Sequence, residues 1–269
     1  MKQILTEVLM RAVRMAGYEV IPRWRLDDLA LATHLRELFT KLDIDCVLDV
    51  GANRGQYRKF LRMQVGYAGY IASFEPNPAC LKHLEAEAKN DALWKIHGFA
   101  LGSESGHLPI NVMRESAFTS FLSPDASTVP TLAHLNAVVQ VETVPVKRLT
   151  DVMEDIRAAS GCRNVYLKLD TQGYDLEVIK GAGATLASIA ALQTEVSVRP
   201  IYAGMPDWLT SLRTLKGHAF DVTGLFPVST DPQLRVVEFD CVAVNTAFAS
   251  EPFARHRRAV GPTVGLYVV

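Results

Sequence analysis

The feature that most constrains the fold is a short apolar run, Cys46–Val50, that ends in a tight turn of small residues. The turn is Gly51-Ala52-Asn53-Arg54-Gly55, and the segment after it has apolar residues at positions 57, 60 and 61, the spacing of one helix face. A strand, a glycine turn and a helix form the first unit of nucleotide-binding α/β sheets. Glycine lets the backbone approach a ligand closely, and the start of the helix offers free N–H groups. The pattern therefore predicts an α/β sheet with a ligand site at this turn.

The turn differs from the dinucleotide-binding fingerprint, G-x-G-x-x-G. Gly51, Asn53 and Gly55 close the turn one residue earlier, and no G-K-[ST] sequence follows. Asn53 can adopt the left-handed conformation in place of a glycine. Asp49 would repel a phosphate group but suits an ammonium group. A nucleoside with a positively charged amino-acid tail, such as S-adenosylmethionine, fits these residues; the alternative is an ordinary strand-to-helix turn without a ligand.

A second acidic residue follows the next predicted strand, Tyr70–Phe74. Glu75 comes at the end of that strand and is followed by Pro76-Asn77-Pro78. A carboxylate about 20 positions after the turn, at the tip of the second strand, is typically placed to bind both ribose hydroxyls. We therefore predict that Glu75 and Asn77 belong to the cofactor site. The alternative is that Glu75 only caps the following helix.

Further predicted site residues follow other strands of the sheet. Because ligands bind outside the carboxyl ends of parallel strands, Asp170 and Glu195 are expected to meet at the same edge. Either carboxylate is a candidate base for removing a proton from the acceptor, although Asp170 has the alternative role of shaping the cofactor pocket. Ala100 and Leu101, after the third strand, are expected at the adenine. Lys168 lies inside a buried strand, so it is expected to pair with a carboxylate such as Asp170 or Glu195.

Five blocks of the sequence resemble, in the same order, the FkbM family of methyltransferases. They are V-L-D-V-G-A-N-R-G (47–55), S-F-E-P-N-P (73–78), A-L-G-S-E-S-G (100–106), V-K-R-L-T-D-V (146–152) and Y-L-K-L-D-T-Q-G-Y-D-L-E-V-I-K-G-A (166–182). The resemblance covers about residues 40–245. It implies S-adenosylmethionine as the methyl donor and a hydroxyl acceptor on a sugar, glycolipid, polysaccharide or natural product. The sequence departs from the family at Thr150, at Gln172, where an acidic residue is common, and at Asp175, where Glu is common.

The resemblance also implies the fold. We predict a Rossmann-like class I methyltransferase fold, with a mostly parallel seven-stranded sheet and helices on both faces. An N-terminal helical extension (1–42) precedes the methyltransferase domain (43–250), and a C-terminal tail (251–269) follows it. The domain contains a β insertion, and its Ser-, Thr- and Pro-rich stretch, 114–129, is expected to form either a lid over the acceptor or an ordinary surface loop.

Composition excludes several classes of partner. The formal net charge of -1 and the pI of about 6.7 provide no basic field for nucleic acid. The four cysteines are widely spaced without a disulfide or C-x-x-C pattern, which favours a cytoplasmic location. The seven histidines have no metal-ligand spacing, so no metal site is assigned; a metal held by carboxylates stays open as an alternative that the sequence does not demand.

The N-terminal segment, 1–18, has apolar residues at helical spacing but no run of the roughly 18 apolar residues that a membrane span needs. It is expected to pack on the domain or on a second subunit of a homodimer. The alternative is a peripheral membrane contact, which would suit a glycolipid acceptor.

Two other functions remain open at this stage. One is an NAD(P)-dependent oxidoreductase, which the missing G-x-G-x-x-G disfavours. The other is a non-catalytic, methyltransferase-like binding partner, which the complete set of Asp49, Gly51, Gly55 and Glu75 disfavours.

Overall fold

A computed structural model describes residues 13, 15, 22–125, 127, 129 and 134–249 of the 269-residue chain. The predicted N-terminal helix, apart from positions 13 and 15, and the C-terminal tail lie outside the described residues. The strands are β1 (Cys46–Val50), β2 (Tyr70–Phe74), β3 (Trp94–His97), β4 (Ala100–Leu101), β5 (Gly106–Met113), β6 (Val138–Lys147), β7 (Val165–Leu169), β8 (Ile189–Ser197), β9 (Phe220–Thr230) and β10 (Val236–Asn245). The helices are α1 (Leu29–Lys41), α2 (Gln56–Phe60, continued as a π-helix by Leu61–Val65), α3 (Pro78–Ala88), α4 (Leu149–Ser160), α5 (Asp175–Ala182), α6 (Trp208–Gly217) and α7 (Thr246–Ala249).

Seven of these strands form one sheet, in the order β3-β2-β1-β7-β8-β10-β9. The five strands from β3 to β8 are parallel to their neighbours, and β10 is antiparallel to both β8 and β9. The order turns back at β1, so the carboxyl ends of β1 and β7 flank the switch point where open α/β sheets bind ligands. The predicted mostly parallel, seven-stranded class I methyltransferase fold is confirmed.

Helices cover both faces of the sheet, as predicted. Alternate residues of β1 point to opposite faces, as in any strand. Leu48 packs in a core with α4, α5 and α6, whereas Val47 packs in a second core with α1, α2 and α3. Helix α1, from the predicted N-terminal helical extension, is part of this layer: Arg36 Nη2 donates to the carbonyl of Gln64 at 2.7 Å, and His34 Nε2 lies 2.9 Å from Thr223 Oγ1 on β9.

A row of polar side chains crosses the sheet on the face that carries α1 and α2. Asp49 on β1 is in register with Ser73 on β2 and with Lys168 on β7, and Lys168 is in register with Gln193 on β8. All four residues are buried. Asp49, Ser73 and Lys168 each lie one residue before the carboxyl end of their strand, and Gln193 lies beside Lys168 at the end of the β7–β8 pairing. The polar row therefore forms a floor beneath the ligand-binding edge.

The predicted β insertion forms a second sheet of three strands, in the order β4-β6-β5. The third strand of the large sheet, β3, ends at His97, and Ala100–Leu101 pairs with Val146–Lys147 of β6. The chain thus passes from the large sheet into the small one at the residues that were expected to meet the adenine.

The last two strands, β9 and β10, pair antiparallel. Among the described residues, none of the helices is both long and apolar enough to span a membrane.

Candidate active site

A cavity of about 430 Å³ lies along the edge formed by the carboxyl ends of the parallel strands. Its volume is within the range of roughly 300–1,000 Å³ that small-molecule sites occupy. It extends from Glu75, after β2, to Val228 on β9, which is five strand spacings or about 24 Å across the sheet. We call one end the turn half; it comprises Gly51, Ala52, Asn53, Glu75, Ala100 and Leu101. We call the other end the carboxylate half; it comprises Lys168, Asp170, Gln172, Gln193, Glu195 and Asp240.

Gly51 allows the two halves to meet. Its φ is +81°, and a Cβ atom placed on it would lie only 1.9 Å from the carbonyl oxygen of Asp170. The turn after β1 therefore passes directly against the end of β7, and only glycine leaves room for that approach. Its N–H donates to the carbonyl of Phe74 at 3.0 Å, which ties the same turn to β2.

Asn53 and Gly55 give the turn its shape. Asn53 has a φ of +46°, which confirms the predicted left-handed conformation. Gly55, with a φ of +82°, directly precedes α2, and a Cβ on it would come within 2.9 Å of Trp94. Gly55 is therefore required by packing, whereas Asn53 lines the cavity.

Glu75 holds two loops together. Its Oε2 accepts a hydrogen bond from the Asn53 N–H at 2.7 Å, and its Oε1 accepts one from the Asn77 N–H at 2.8 Å. Burial raises the pKa of Glu75 to about 7, although both N–H groups act in the opposite direction. The following helix is capped by Asn77, whose Oδ1 accepts from the Ala79 N–H at 3.0 Å. Glu75 is thus not the cap, and each of its oxygens retains acceptor capacity toward the cavity.

The eight predicted cofactor residues divide into two groups. Five line the cavity: Gly51, Asn53, Glu75, Ala100 and Leu101. The other three, Asp49, Gly55 and Asn77, support that wall from behind.

Asp49 already has an ammonium partner within the protein. It is completely buried, and its Oδ1 lies 3.2 Å from Lys168 Nζ, while its Oδ2 accepts from the Ser73 hydroxyl at 2.9 Å. The structure therefore places Asp49 in the polar floor, where it does not reach the cavity, and the positive group beside it is Lys168.

Lys168 links that floor to the cavity. Its Nζ lies 3.2 Å from Asp170 Oδ2 as well as 3.2 Å from Asp49 Oδ1, and 4.9 Å from the centre of the Tyr57 ring. Burial lowers the pKa of Lys168, but the two carboxylates outweigh burial and raise it above its ordinary value. The predicted structural ion pair with Asp170 is present, Asp49 is an additional partner, and Glu195 is not a partner.

The two predicted catalytic residues are brought together by a third side chain. Nε2 of Gln172 donates to Asp170 Oδ1 and to Glu195 Oε2, each at 2.9 Å. Both carboxylates line the cavity. Burial raises the pKa of Glu195 well above its ordinary value, and the nearby Asp170 raises it further.

More acidic and amide groups extend the carboxylate half toward β10. Gln193 Nε2 donates to Asp240 Oδ1 at 2.7 Å, and Gln193 Oε1 accepts from the Tyr57 hydroxyl at 2.7 Å. Burial raises the pKa of Asp240 to about 6 and that of the neighbouring Glu238 to about 7. This end of the cavity therefore presents closely spaced hydrogen-bonding groups, and the pKa values of its acidic groups are raised by burial.

The Ser- and Thr-rich stretch that was predicted to be a lid or a surface loop forms the roof. Ser116 donates through its hydroxyl to Asn53 Oδ1 at 2.8 Å, and Ser120 donates to the carbonyl of Gln172 at 2.7 Å. The Tyr202 hydroxyl lies 2.7 Å from the carbonyl of Phe118. The insertion thus contacts both halves of the cavity.

Sequence reasoning missed several residues of this site. They are Tyr57, Gln193 and Asp240, whereas Gln172 was noted only as a departure from the family. Polar residues at 193 and 240, inside otherwise apolar runs, were the available signal. His134, which follows the Ser- and Thr-rich stretch, is exposed and does not line the cavity. Within the described ranges, no three His, Cys, Asp or Glu side chains are grouped to hold a metal.

Comparison with known proteins identifies the family. Residues 49–222, about two thirds of the chain, match the family model described as the methyltransferase FkbM domain. The chain is 29% identical over 155 residues to the methyltransferase sdnD of Sordaria araneosa, a match that covers 50% of this chain and 59% of that protein. The match therefore spans less than two thirds of that relative's length.

Solved structures show a fold-level likeness. Aeropyrum pernix fibrillarin with bound S-adenosylmethionine aligns with 80% of this chain and 74% of its own, at 14% identity and a TM-score of 0.42. Magnesium protoporphyrin IX methyltransferase from Synechocystis PCC 6803, also with bound S-adenosylmethionine, aligns with 87% of this chain and 89% of its own, at 10% identity and a TM-score of 0.42.

The turn half fits the methyl donor that the family uses. It offers a buried carboxylate with free acceptor capacity at Glu75, a close-approach turn at Gly51 and apolar surface at Leu101. By the match of residues 49–222, the chain belongs to the FkbM family of S-adenosylmethionine-dependent methyltransferases.

Proposed function

We propose that this methyltransferase acts on a hydroxyl group of a sugar, a glycolipid or a hydroxylated natural product. The observation that carries the proposal is the pair of carboxylates, Asp170 and Glu195, that line the cavity beside the turn half and share the amide of Gln172. A hydroxyl acceptor needs a base at this place, because it must lose its proton when the methyl group is transferred.

S-adenosylmethionine supplies a methyl group that is already activated by the positive sulfur. The protein therefore has to align the acceptor oxygen with that methyl group and to remove the hydroxyl proton. Alignment contributes up to about 7–11 kcal/mol in the most favourable intramolecular cases. The fixed distance between the two halves, set by the contact of Gly51 with Asp170, suits this task.

We assign the proton removal to Glu195. Its side chain is partly exposed to the cavity, and its Oε2 is bound by Gln172, so Oε1 is the oxygen that we assign to the acceptor proton. A carboxylate with a raised pKa is a stronger base than an exposed one. Asp170 is engaged by both Lys168 and Gln172, so we assign it to orienting the acceptor.

The remaining groups of the carboxylate half suit an acceptor with several hydroxyls. Tyr57, Gln193 and Asp240 are linked by hydrogen bonds and line the same cavity as Glu195. Sugars offer hydroxyls at the spacing of such groups. An apolar side, from Leu31 and Phe60, also lines the cavity and accommodates the less polar face of the acceptor.

In the turn half, we assign Glu75 to the ribose hydroxyls and Ala100 and Leu101 to the adenine. Gly51 and Asn53 form the turn that passes along the amino-acid tail of the donor. Asp49, Gly55 and Asn77 contribute by fixing that wall from behind.

The test is a screen with methyl-labelled S-adenosylmethionine against monosaccharides, glycolipids and polyhydroxylated natural products, with matched amino sugars and thiosugars beside them. We expect label in an ether-linked methyl group, and a loss of about 10²-fold or more in kcat for Glu195→Gln with little change in the binding of S-adenosylhomocysteine. Transfer to nitrogen or sulfur alone, or full activity of Glu195→Gln on a hydroxyl, would show that the proposal is wrong.

A further inference from the structure

The Gln172 side chain occupies the centre of the carboxylate half. Its Nε2 lies 2.9 Å from Asp170 Oδ1 and 2.9 Å from Glu195 Oε2. An amide nitrogen carries two hydrogens, so each carboxylate receives one. A single neutral group therefore satisfies both carboxylates without adding a charge to the cavity.

The surrounding structure fixes this amide in place. Gln172 has a φ of +54°, a conformation that non-glycine residues seldom adopt. Its carbonyl accepts from the Ser120 hydroxyl, and its Oε1 lies 2.9 Å from the hydroxyl of the buried Tyr202. A strained backbone held by its neighbours is characteristic of functional positions. Because Oε1 faces the Tyr202 hydroxyl, Nε2 faces the two carboxylates.

Glu195 needs such a donor because its surroundings are strongly acidic. Four nearby carboxyl groups disfavour the ionised form of Glu195: Asp170 after β7, Asp175 on α5, and Glu238 and Asp240 on β10. Lys168 is the cation on that side, and it is already shared between Asp49 and Asp170. Two carboxylates that share a site without a donor between them retain a proton on one of the two.

We propose that Gln172 is a positioning residue that holds Asp170 and Glu195 as a hydrogen-bonded pair and keeps Glu195 ready to receive the acceptor proton. This inference rests on the proposed function of Glu195, and it adds a residue that sets the pH range of the reaction. N–H donors favour the ionised form of a carboxyl group, so the loss of this amide raises the pH at which Glu195 ionises.

Two substitutions separate the amide from the backbone conformation. Gln172→Asn keeps an amide and a residue type that tolerates the left-handed region, but its side chain is one carbon shorter and does not span both carboxylates. Gln172→Glu keeps the length and replaces the donor by a third carboxyl group. The matched control is Gln140→Glu, the same chemical change on the exposed strand β6, where the amide lies 3.1 Å from Glu142.

The measurement is a carbon-13 NMR titration of the protein labelled at glutamate carboxyl carbons, with the Glu195 signal assigned by its absence in Glu195→Gln. We expect the midpoint of Glu195 to rise by about one pH unit or more in Gln172→Asn and further in Gln172→Glu. It should not move in Gln140→Glu. Midpoints within about 0.3 pH unit of the wild type in both Gln172 variants, with unchanged circular dichroism and Tm, would overturn the inference.

This titration needs no acceptor, so its failure is distinct from a failure of the proposed function. If Glu195→Gln retains full activity while the titration moves as expected, the base is wrongly assigned and the pairing stands. Once an acceptor is found, the acid limb of kcat/KM should move to higher pH by the same amount in Gln172→Asn. If Glu195→Gln is inactive but the acid limb of kcat/KM does not move in Gln172→Asn, the inference about Gln172 is overturned and the proposed function stands.

Discussion

The two halves of the cavity are built by different means. In the turn half, the key carboxylate, Glu75, is held by the backbone N–H groups of Asn53 and Asn77. In the carboxylate half, Asp170 and Glu195 are held by the side chains of neighbouring residues, chiefly Gln172. A carboxylate that is bound by backbone keeps its place when side chains change, whereas a carboxylate that is bound by side chains does not. The geometry of the turn half therefore depends less on the identity of neighbouring side chains than that of the carboxylate half.

The largest effect that we expect comes from the floor that the two halves share. Lys168→Met leaves Asp49 and Asp170 without their cation, and breaking a buried ion pair on one side costs about 3–5 kcal/mol. Urea unfolding should show this loss in the free energy of unfolding. The control is Lys180→Met, because Lys180 pairs with Glu177 on the exposed side of α5 and the change should cost less than about 1 kcal/mol.

A second substitution tests the reason for that loss. In the Lys168→Met background, Asp49→Asn removes the stranded charge and should recover part of the stability. An ion pair that supports both halves would be contradicted if Lys168→Met and Lys180→Met lowered the free energy of unfolding equally. It would also be contradicted if Asp49→Asn recovered none of that free energy in the Lys168→Met background.

The next effect in size concerns the contact between the halves. Gly51→Ala places a Cβ 1.9 Å from the Asp170 carbonyl at a φ of +81°, so strain and collision should together cost about 2–5 kcal/mol. Gly66→Ala is the matched control, since Gly66 has a φ of +79° with nothing within 4 Å of the added Cβ. Its cost should be only the conformational part, about 1–2 kcal/mol. Thermal unfolding that shows the same Tm for both variants would mean that the close approach of the halves has no energetic consequence.

The same contrast explains what the sequence predicted and what it could not. The turn half comes from contiguous motifs, so Gly51, Asn53 and Glu75 were found from spacing, and so were the strand-turn-helix unit and the mostly parallel sheet. Lys168 was expected to need a carboxylate, but Asp49 lies 119 positions away in the sequence, and only the register of β1 with β7 brings the two together.

The carboxylate half depends on such long-range register throughout. Gln193 and Asp240 are 47 positions apart in the sequence and meet because β8 and β10 are antiparallel neighbours. The sequence of neither strand indicates that the two strands lie side by side. The roof was seen only as a polar stretch of uncertain role, because the hydroxyls of Ser116 and Ser120 are indistinguishable from those of any surface loop until their partners are known.

The pH dependence of donor binding gives a smaller and more specific effect, confined to the turn half. The pKa of Glu75 is raised to about 7, so its carboxyl is largely protonated at pH 6 and largely ionised at pH 8. If Glu75 binds the ribose hydroxyls, as we propose, its ionised form is the better acceptor, and donor binding should therefore tighten as the pH rises through this range. If only the ionised form binds, the affinity for S-adenosylhomocysteine should be about tenfold higher at pH 8 than at pH 6, or about 1.4 kcal/mol.

Calorimetric titration over this pH range checks the effect, with Glu75→Gln as the comparison. Glu75→Gln removes the ionisable group and should weaken binding at pH 8 by about 1.5–3 kcal/mol, with no remaining slope between pH 6 and 8. A wild-type affinity that does not change with pH, or a slope that persists in Glu75→Gln, would separate Glu75 from the ribose.

The smallest effect distinguishes the two ends of the roof. Ser116 donates to Asn53 in the turn half and Ser120 donates to the Gln172 carbonyl in the carboxylate half, so the two hydroxyls form a matched pair within one insertion. Ser116→Ala should weaken S-adenosylhomocysteine binding by about 0.5–1.5 kcal/mol, because the cavity-lining turn residue loses a neutral hydrogen bond. Ser120→Ala should leave that affinity unchanged and should instead raise the pH at which Glu195 ionises, since the backbone that orients the Gln172 amide is less restrained.

Calorimetry and the carboxyl titration on the same two proteins measure these outcomes separately. If both substitutions weaken donor binding equally, the roof acts as one rigid cover and the two halves are coupled through it; opposite responses in the two assays mean that each half can vary without disturbing the other.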